Sequence, residues 1–146
     1  MSDNNRHTVL VTGASRGIGR AIALAAARDV DYVNLHGTAT PQNDAMESLA
    51  VERVLGRDVP VSSTKPLTGH ALAAAGAIEA AFAWHCLVDN PHGRLPVHWW
   101  DGVADPALPG LRPVAPGMSL GRPVRHVLSN SFAFGGSNAS LLFAQP

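Results

Sequence analysis

The amino-acid sequence predicts an α/β fold in which helices pack on a mixed sheet. Short apolar segments near residues 8–11, 32–35 and 59–63 have the length and β-branched content of strands, and a helix-forming segment follows each one. A final pair of strands, the first ending at residues 129–131 and the second over residues 139–143, flanks a glycine-rich tip. The chain has 146 residues, 46% hydrophobic and 15% charged, which suits one globular domain with a buried core.

Charge and cysteine content exclude several classes of protein. The formal net charge is zero, so neither a nucleic acid nor an anionic membrane surface is expected as a partner. Cys86 is the single cysteine, which rules out an internal disulfide and indicates a reducing, cytoplasmic compartment. Residues 1–7 are polar and lack the apolar core of a secretion signal. The apolar run 71–88 contains Glu79 and His85, so we expect a buried helix there and no membrane span.

The N-terminal segment has the pattern of a dinucleotide-binding unit. An apolar strand candidate runs into a glycine-rich turn over residues 12–19, and an alanine-rich helix candidate follows. This order lays a pyrophosphate on a helix N-terminus. Residues 7–29 resemble the start of a short-chain dehydrogenase/reductase, in particular a 3-ketoacyl-ACP reductase, which implies a Rossmann-like βα unit over residues 1–29. The residues that would contact NADP are Gly13, Ser15, Arg16, Gly17 and Gly19.

The other parts that a reductase needs are missing from the sequence. The resemblance implies a proton-donating Tyr-x-x-x-Lys pair, whereas the single tyrosine, Tyr32, and the single lysine, Lys65, are far apart in the chain. A second βαβ unit with an acidic ribose-binding residue does not follow. We therefore expect no complete nicotinamide enzyme. Two alternatives stay open, namely weak dinucleotide binding by the loop and a purely structural role for its strand and helix.

The next segment predicts a strand over residues 32–35 and an amphipathic helix. Asn43 is a candidate N-cap for this helix, and Gly56 is a natural stop. Apolar residues recur at helical spacing, and we expect them to face the sheet. These residues are Met46, Leu49, Ala50 and Val54.

A second strand and helix follow, and then a long irregular segment. After the strand over residues 59–63, an alanine-rich helix over residues 71–87 is apolar nearly all round, so we expect it to be central and to end at Asn90-Pro91. Residues 92–122 are rich in proline and glycine and are predicted to wrap the surface. Apolar anchors tucked beneath this segment would include Leu95, Trp99, Trp100 and Leu111.

Two histidines stand in matching settings that indicate a shared site. His36 follows the predicted strand over residues 32–35 and opens a threonine-rich turn. His70 follows the predicted strand over residues 59–63. Each lies beside a glycine, which lets the backbone bend and approach a ligand. Neighbouring strands would bring both rings to one pocket, although a histidine in such a setting is also a common structural residue. The other histidines, expected at the surface or in packing contacts, are His7, His85, His92, His98 and His126.

Three motifs carry a resemblance to a known family. Residues 36–40 (HGTAT), 62–70 (SSTKPLTGH) and 130–138 (NSFAFGGSN) resemble β-ketoacyl-ACP synthases. The similarity runs over residues 30–146 and implies the C-terminal half of a thiolase-like fold. The stretch 99–102 (WWDG), together with Phe-Ala-Phe in the last motif, is most similar to synthases of aryl-polyene clusters. A reductase-like start joined to a synthase-like end divides the chain between residues 29 and 30.

This resemblance implies a decarboxylative condensation of an acyl thioester with malonyl-ACP, with no required cofactor and no metal. His36 and His70 would donate N–H bonds to the malonyl thioester oxygen and stabilise the enolate. Lys65 would pair with Glu79 and hold the second histidine in place. Residues implied to contact the pantetheine arm and the acyl group are Thr38, Thr40, Phe134, Gly135 and Gly136. Of these, Phe134 would gate the acyl pocket, and its N–H would supply half of an oxyanion hole.

The nucleophile of the family lies in the other half of the synthase fold. Cys86 follows His85 in a helix, where adjacent side chains diverge by about 100°, so we expect a buried, unreactive thiol. We therefore expect condensation only with a cysteine-bearing partner, as a homodimer or as a heterodimer with another synthase subunit. Acyl carrier protein is the second expected partner. A non-catalytic remnant of a gene fusion is the alternative.

Overall fold

A computed structural model describes residues 8–10, by their backbone, and residues 29–145. Six strands form one mixed sheet in the order β1-β6-β5-β2-β3-β4. They are β1 (Thr8–Leu10), β2 (Tyr32–Asn34), β3 (Pro60–Ser62), β4 (Arg112–Pro113), β5 (His126–Phe132) and β6 (Asn138–Ala144). The prediction of an α/β fold with a mixed sheet is confirmed.

Parallel strands occupy one side of the sheet and antiparallel strands the other. β2 pairs in parallel with both β3 and β5, and β3 pairs in parallel with β4. β5 and β6 form the predicted antiparallel hairpin, and β1 pairs with β6 at the sheet edge, with Thr8 opposite Phe143. The glycine-rich turn and the helix candidate after β1, including the five residues with predicted NADP contacts, lie outside the described residues.

Helix α1 (Pro41–Leu55) begins two residues earlier than its predicted N-cap. Thr40 is the N-cap, and Pro41 begins the helix without needing a hydrogen-bond partner, because it has no N–H. The Asn43 side chain instead donates to Asp44, so the prediction of Asn43 as the cap was wrong. Gly56, at φ 80°, ends the helix as predicted.

The face that α1 turns to the sheet differs from the predicted one. Glu47 and Val51 are buried, and Leu55, at the next i+4 step, packs against the apolar cluster that contains Val51. Met46, Leu49 and Val54 are 42–51% exposed, and Ala50 is exposed as well, so the prediction that these four residues face the sheet was wrong. The polar residue Glu47 takes the inward position because it has hydrogen-bond partners there, which a count of apolar residues cannot detect.

Helix α3 (Ala75–Leu87) covers one face of the sheet and is not central. A one-turn helix, α2 (Lys65–Thr68), and a 3-10 turn (Leu72–Ala74) precede it, so the regular helix starts later than predicted. Its buried residues recur at i+4 and i+3 spacing and are Ala75, Glu79, Ala83, Cys86 and Leu87. The opposite face stays accessible in this chain. The helix ends at Leu87, three residues before Asn90, whose side chain accounts for the early end because it donates to the Cys86 carbonyl oxygen at 2.8 Å.

Two apolar clusters, one on each face of the sheet, form the core. Alternation along β2 sends Tyr32 into the cluster beneath α3 and Val33 into the cluster beneath α1. The long segment after α3 adds Leu95 and Val114 to the first cluster, which confirms that it tucks apolar side chains against the domain. Its two tryptophans do not follow this pattern. Trp99 and Trp100 are 61% and 44% exposed, so their prediction as buried anchors was wrong.

In the described part of the chain, none of the helices has the length and apolar character needed to span a membrane.

Acid sensitivity is expected at Asp31, which joins the start of β2 to the start of β5. Its carboxylate accepts hydrogen bonds from the Arg122 side chain and from the N–H groups of Arg125 and His126. Burial raises the pKa of Asp31, but these three hydrogen bonds outweigh burial and leave the pKa below 3.8. The ionised Asp31 therefore makes its full contribution to the free energy of unfolding above pH 3.8. This contribution is lost as the pH falls through the lower pKa of the folded state. Asp31→Asn should flatten the acid limb of a stability-versus-pH curve measured by urea unfolding, and an unchanged acid limb would refute this assignment.

Candidate active site

The two histidines of the paired motifs meet at the carboxyl ends of adjacent parallel strands. His36 lies two residues beyond the end of β2, and His70 follows α2, which begins soon after β3. Their ring centroids are 5.6 Å apart, and the planes meet edge to face at 86°. The predicted convergence of the two rings is confirmed. The parallel pairing of β2 with β3 causes it, because such strands end on the same side of a sheet.

The environment of His36 favours the neutral imidazole. The ring is buried, and burial lowers the pKa of His36 below its ordinary 6.5. The charges of Lys65 and His70 lower the pKa further, against an opposing effect of Asp44. The lowered pKa favours the neutral form of His36, which can offer a neutral N–H to a ligand.

His70 has a defined donor atom. Its Nδ1 accepts the backbone N–H of Leu72 at 3.3 Å, so the neutral ring carries its proton on Nε2. His70 is exposed in this chain, whereas His36 is buried. The pair thus offers one sheltered and one accessible imidazole.

Glu47 holds the turn that carries His36, and the sequence analysis missed it. Its carboxylate accepts the N–H groups of His36 and Gly37, each at 2.9 Å, and the Asn130 side-chain amide at 3.1 Å. Burial raises the pKa of Glu47, and these hydrogen bonds oppose the shift. The i+4 spacing of Glu47, Val51 and Leu55 was the sequence signal that could have placed Glu47 on the inward face of α1.

Gly37 lets the turn press directly against Ser63. Gly37 has a φ of +40°, and the Ser63 hydroxyl donates to its carbonyl oxygen at 2.8 Å. A Cβ added at Gly37 would lie 2.6 Å from the Ser63 Cβ. This position therefore requires glycine for both conformation and space.

Substitution by alanine should separate these two requirements. Gly56 also has a positive φ, but nothing lies within 4 Å of an added Cβ there. Gly56→Ala should cost about 1–3 kcal/mol, because φ 80° with ψ −164° lies in a backbone region that essentially only glycine adopts. Gly37→Ala should cost about 1–3 kcal/mol more, because the turn must move away from Ser63. Urea unfolding measures both costs, and equal costs would show that the turn is not closely packed.

Lys65 and Glu79 form a buried ion pair beside the histidines. The two side chains are only 6% and 3% exposed, which confirms the predicted pairing. Glu79 Oε2 has no hydrogen-bond partner among the described residues, and the same holds for both polar atoms of the Asn34 side-chain amide. The site is therefore a buried polar region in which each lost partner is expensive.

The threonine-rich turn places two hydroxyls at the surface. Thr38 Oγ1 and Thr40 Oγ1 are hydrogen bonded to each other at 3.0 Å. Ala39 between them has a φ of +60° and fixes a tight bend. Both hydroxyls are accessible to a ligand, and their contact with pantetheine stays a prediction.

The aromatic ring against His36 is Phe132, which the sequence analysis did not single out. The Phe132 and His36 ring centroids are 5.7 Å apart. Phe134 lies at the tip between β5 and β6 and is fully exposed, and Gly135 and Gly136 there have φ values of 75° and 81°. The gating role predicted for Phe134 and the glycine tip therefore stays a prediction, whereas Phe132 already shields one side of the His36 ring.

Cys86 is buried away from solvent. It is 4% exposed in the cluster beneath α3, and burial raises the pKa of its thiol to about 12. The prediction of a buried thiol is confirmed, and such a group is not a thiolate at neutral pH. Within residues 29–145, no cluster of three or more His, Cys, Asp or Glu side chains could hold a metal ion.

Comparison with known proteins agrees with this arrangement. Residues 2–92, more than half of the chain, match the family described as the beta-ketoacyl synthase C-terminal domain. The match includes the segment with the reductase-like motif, and the division between residues 29 and 30 stays a prediction. The 3-oxoacyl-(acyl-carrier-protein) synthase 1 of Haemophilus influenzae is 39% identical over 132 residues, which cover 90% of this chain and 31% of that protein.

Solved structures show the same fold. A ketosynthase (ApeO) in complex with its chain length factor (ApeC) from Xenorhabdus doucetiae is 44% identical, with a TM-score of 0.70. That similarity covers 81% of this chain and 29% of the ketosynthase chain. A type II polyketide synthase structure, in which an acyl-carrier protein is in complex with its ketosynthase, is 25% identical at a TM-score of 0.65 and covers 98% of this chain and 38% of that chain.

The sheet and its helices define a thiolase-like α/β domain that matches the fold of ketosynthase structures. The chain belongs to the beta-ketoacyl synthase C-terminal domain family.

Proposed function

We propose that this chain supplies the malonyl-activating half of a β-ketoacyl-ACP synthase. The observation that supports the proposal is the pair of histidines, 5.6 Å apart, in a site that favours the neutral form of His36. The substrate is the malonyl thioester of an acyl carrier protein. Two N–H donors aimed at one thioester oxygen suit the stabilisation of an enolate.

The reaction step follows from the donors. The malonyl thioester oxygen accepts N–H bonds from His36 and from Nε2 of His70. The bond between the α-carbon and the carboxylate then breaks, and carbon dioxide leaves. The electron pair of that bond stays with the α-carbon and delocalises onto the thioester oxygen as the enolate. Each donor in such a site contributes roughly 3–4 kcal/mol to transition-state stabilisation. Neutral rings can donate without losing a proton, and the enolate carbon is then free to attack an acyl thioester.

In this proposal the acyl thioester is carried by a cysteine outside these 146 residues. Cys86 is buried with a raised pKa, and the chain spans 31% of its Haemophilus influenzae relative. We therefore propose a synthase subunit as partner, in a homodimer or a heterodimer, that brings the nucleophilic cysteine. The exposed apolar face of α1, formed by Met46, Leu49 and Val54, offers a surface for it. Thr38 and Thr40 would bind the pantetheine arm, and Phe134 would close the acyl pocket from the glycine tip.

The proposal also includes the type of synthase and the cellular compartment. The aryl-polyene type is favoured by the stretch from Trp99 to Gly102 and by the Phe-Ala-Phe sequence of residues 132–134. A reducing cytoplasm is favoured by the single, buried cysteine.

Release of carbon dioxide from malonyl-ACP tests the proposal on the chain alone. Decarboxylation needs the oxygen donors but no acylated cysteine, so the purified chain should exceed the buffer rate. His36→Ala and His70→Ala should each lower the rate about 100- to 1,000-fold. His92→Ala is a matched control, because His92 is an exposed histidine on the irregular segment. Release at the buffer rate, or release that survives His36→Ala, would reject the proposal.

A further inference from the structure

We propose that His98 is a positioning residue for His36 and acts through Ser63. The role of His36 rests on the proposed function, whereas the chain of contacts from His98 to the His36 turn does not. Nothing in the sequence motifs around His36 or His70 includes His98, which lies in the irregular segment after α3.

The first contact in this series joins His98 to Ser63. The backbone N–H of Ser63 donates to His98 Nδ1 at 3.1 Å. The backbone at His98 is held in place, because the backbone N–H of His98 donates to the Val114 carbonyl oxygen at 2.9 Å. The Trp100 ring lies 5.8 Å from the His98 ring at a tilt of 52° and restricts its rotation.

The second set of contacts joins Ser63 to both parts of the active site. Its hydroxyl donates to the Gly37 carbonyl oxygen at 2.8 Å and accepts the Lys65 backbone N–H at 3.4 Å. Gly37 directly follows His36, and Gly37 and Ser63 are too close to allow a Cβ between them. A shift of Ser63 therefore displaces the turn that aims His36.

The acceptor role requires a neutral His98 ring. Nδ1 can accept the Ser63 N–H only when it carries no proton. Burial lowers the pKa of His98 below 6.5, and Asp44 is the charged group that opposes this shift. At acid pH, protonation of His98 would place an N–H on Nδ1, facing the Ser63 N–H. The hydrogen bond would be lost, so the turn that carries His36 should be held less firmly at acid pH.

Substitutions at position 98 separate an acceptor from a packing role. His98→Asn places an amide oxygen close to the position of Nδ1, whereas His98→Leu fills space without an acceptor. Ser63→Ala keeps the N–H that His98 accepts but removes the hydroxyl that holds Gly37. His92→Ala is the control for loss of an exposed histidine from the same segment.

Native-state amide hydrogen exchange, read by NMR on the whole chain, measures the coupling. His98→Leu should speed exchange at Ser63 and Gly37 about tenfold, the effect of losing one hydrogen bond. His98→Asn should restore the slow exchange. Ser63→Ala should speed exchange at Gly37 even if His98→Leu proves too unstable to study.

The His36 ring gives a second readout that packing alone would not change. In His98→Leu, the pKa of His36 from a carbon-13 titration should move towards its ordinary 6.5, and His98→Asn should return it to the wild-type value. Faster exchange at Ser63 with Gly37 and His36 unchanged would overturn the inference, as would a failure of His98→Asn to rescue. Neither readout uses substrate, so failure of malonyl decarboxylation would reject the proposed function and leave this result standing.

Discussion

Glu47→Ala is expected to destabilise the fold by about 3–5 kcal/mol. The substitution strands three buried donors, namely the N–H groups of His36 and Gly37 and the Asn130 amide. Each unsatisfied buried donor costs about 1–3 kcal/mol, and water entering the space left by the side chain relieves part of the sum. Urea unfolding followed by circular dichroism measures the loss.

A second glutamate on the same helix provides the control. Glu52 bonds the exposed Arg57 side chain near the end of α1, where an ion pair is worth at most about 1 kcal/mol. Glu52→Ala should therefore change stability little. Glu47→Gln keeps one acceptor oxygen and should fall between Glu47→Ala and the wild type. Equal effects of the substitutions at 47 and 52 would contradict the assignment of Glu47 as the anchor of the turn.

Lys65→Met is expected to cost about 3–5 kcal/mol, because it leaves the buried carboxylate of Glu79 without its partner. Glu79 has little other support, since its Oε2 lacks a hydrogen-bond partner among the described residues. The His36–His70 pair adjoins these charges, so the substitution should also disturb the site. Thermal and urea unfolding report the loss of stability.

The double variant Lys65→Met/Glu79→Leu distinguishes pairing from simple packing. Removing both charges removes the unpaired ion, so the double variant should be more stable than Lys65→Met alone. A double-mutant cycle gives the coupling directly. Additive losses would mean that the two side chains do not depend on each other, contrary to the buried contact in the structure.

Parts of this site could be predicted from the local sequence pattern and from the resemblance to a known family. His36 and His70 follow recognisable strands, and neighbouring parallel strands bring such ends together. The hairpin of β5 and β6 was also accessible, because strands flanking a glycine-rich tip have few other arrangements. The Lys65–Glu79 pair came only from the resemblance, since 14 residues separate the two in sequence.

Other features depend on tertiary partners that a pattern of apolar residues does not encode. Glu47 is inward because the His36 turn and Asn130 supply hydrogen-bond donors there. Met46, Leu49 and Val54 are exposed in this orientation of α1. Trp99 and Trp100 would normally indicate burial, yet both are exposed. His98 could not be distinguished from any surface histidine until the fold brought it to Ser63.

His36 and His70 form one pair of coupled imidazoles, which proton and carbon-13 NMR of histidine-labelled protein can observe. We expect a nuclear Overhauser contact between the two rings. In His70→Ala we expect a higher pKa for His36, because the His70 charge lowers it in the native site. Rings without such a contact, together with a His36 titration unchanged by His70→Ala, would show that the two imidazoles are not paired.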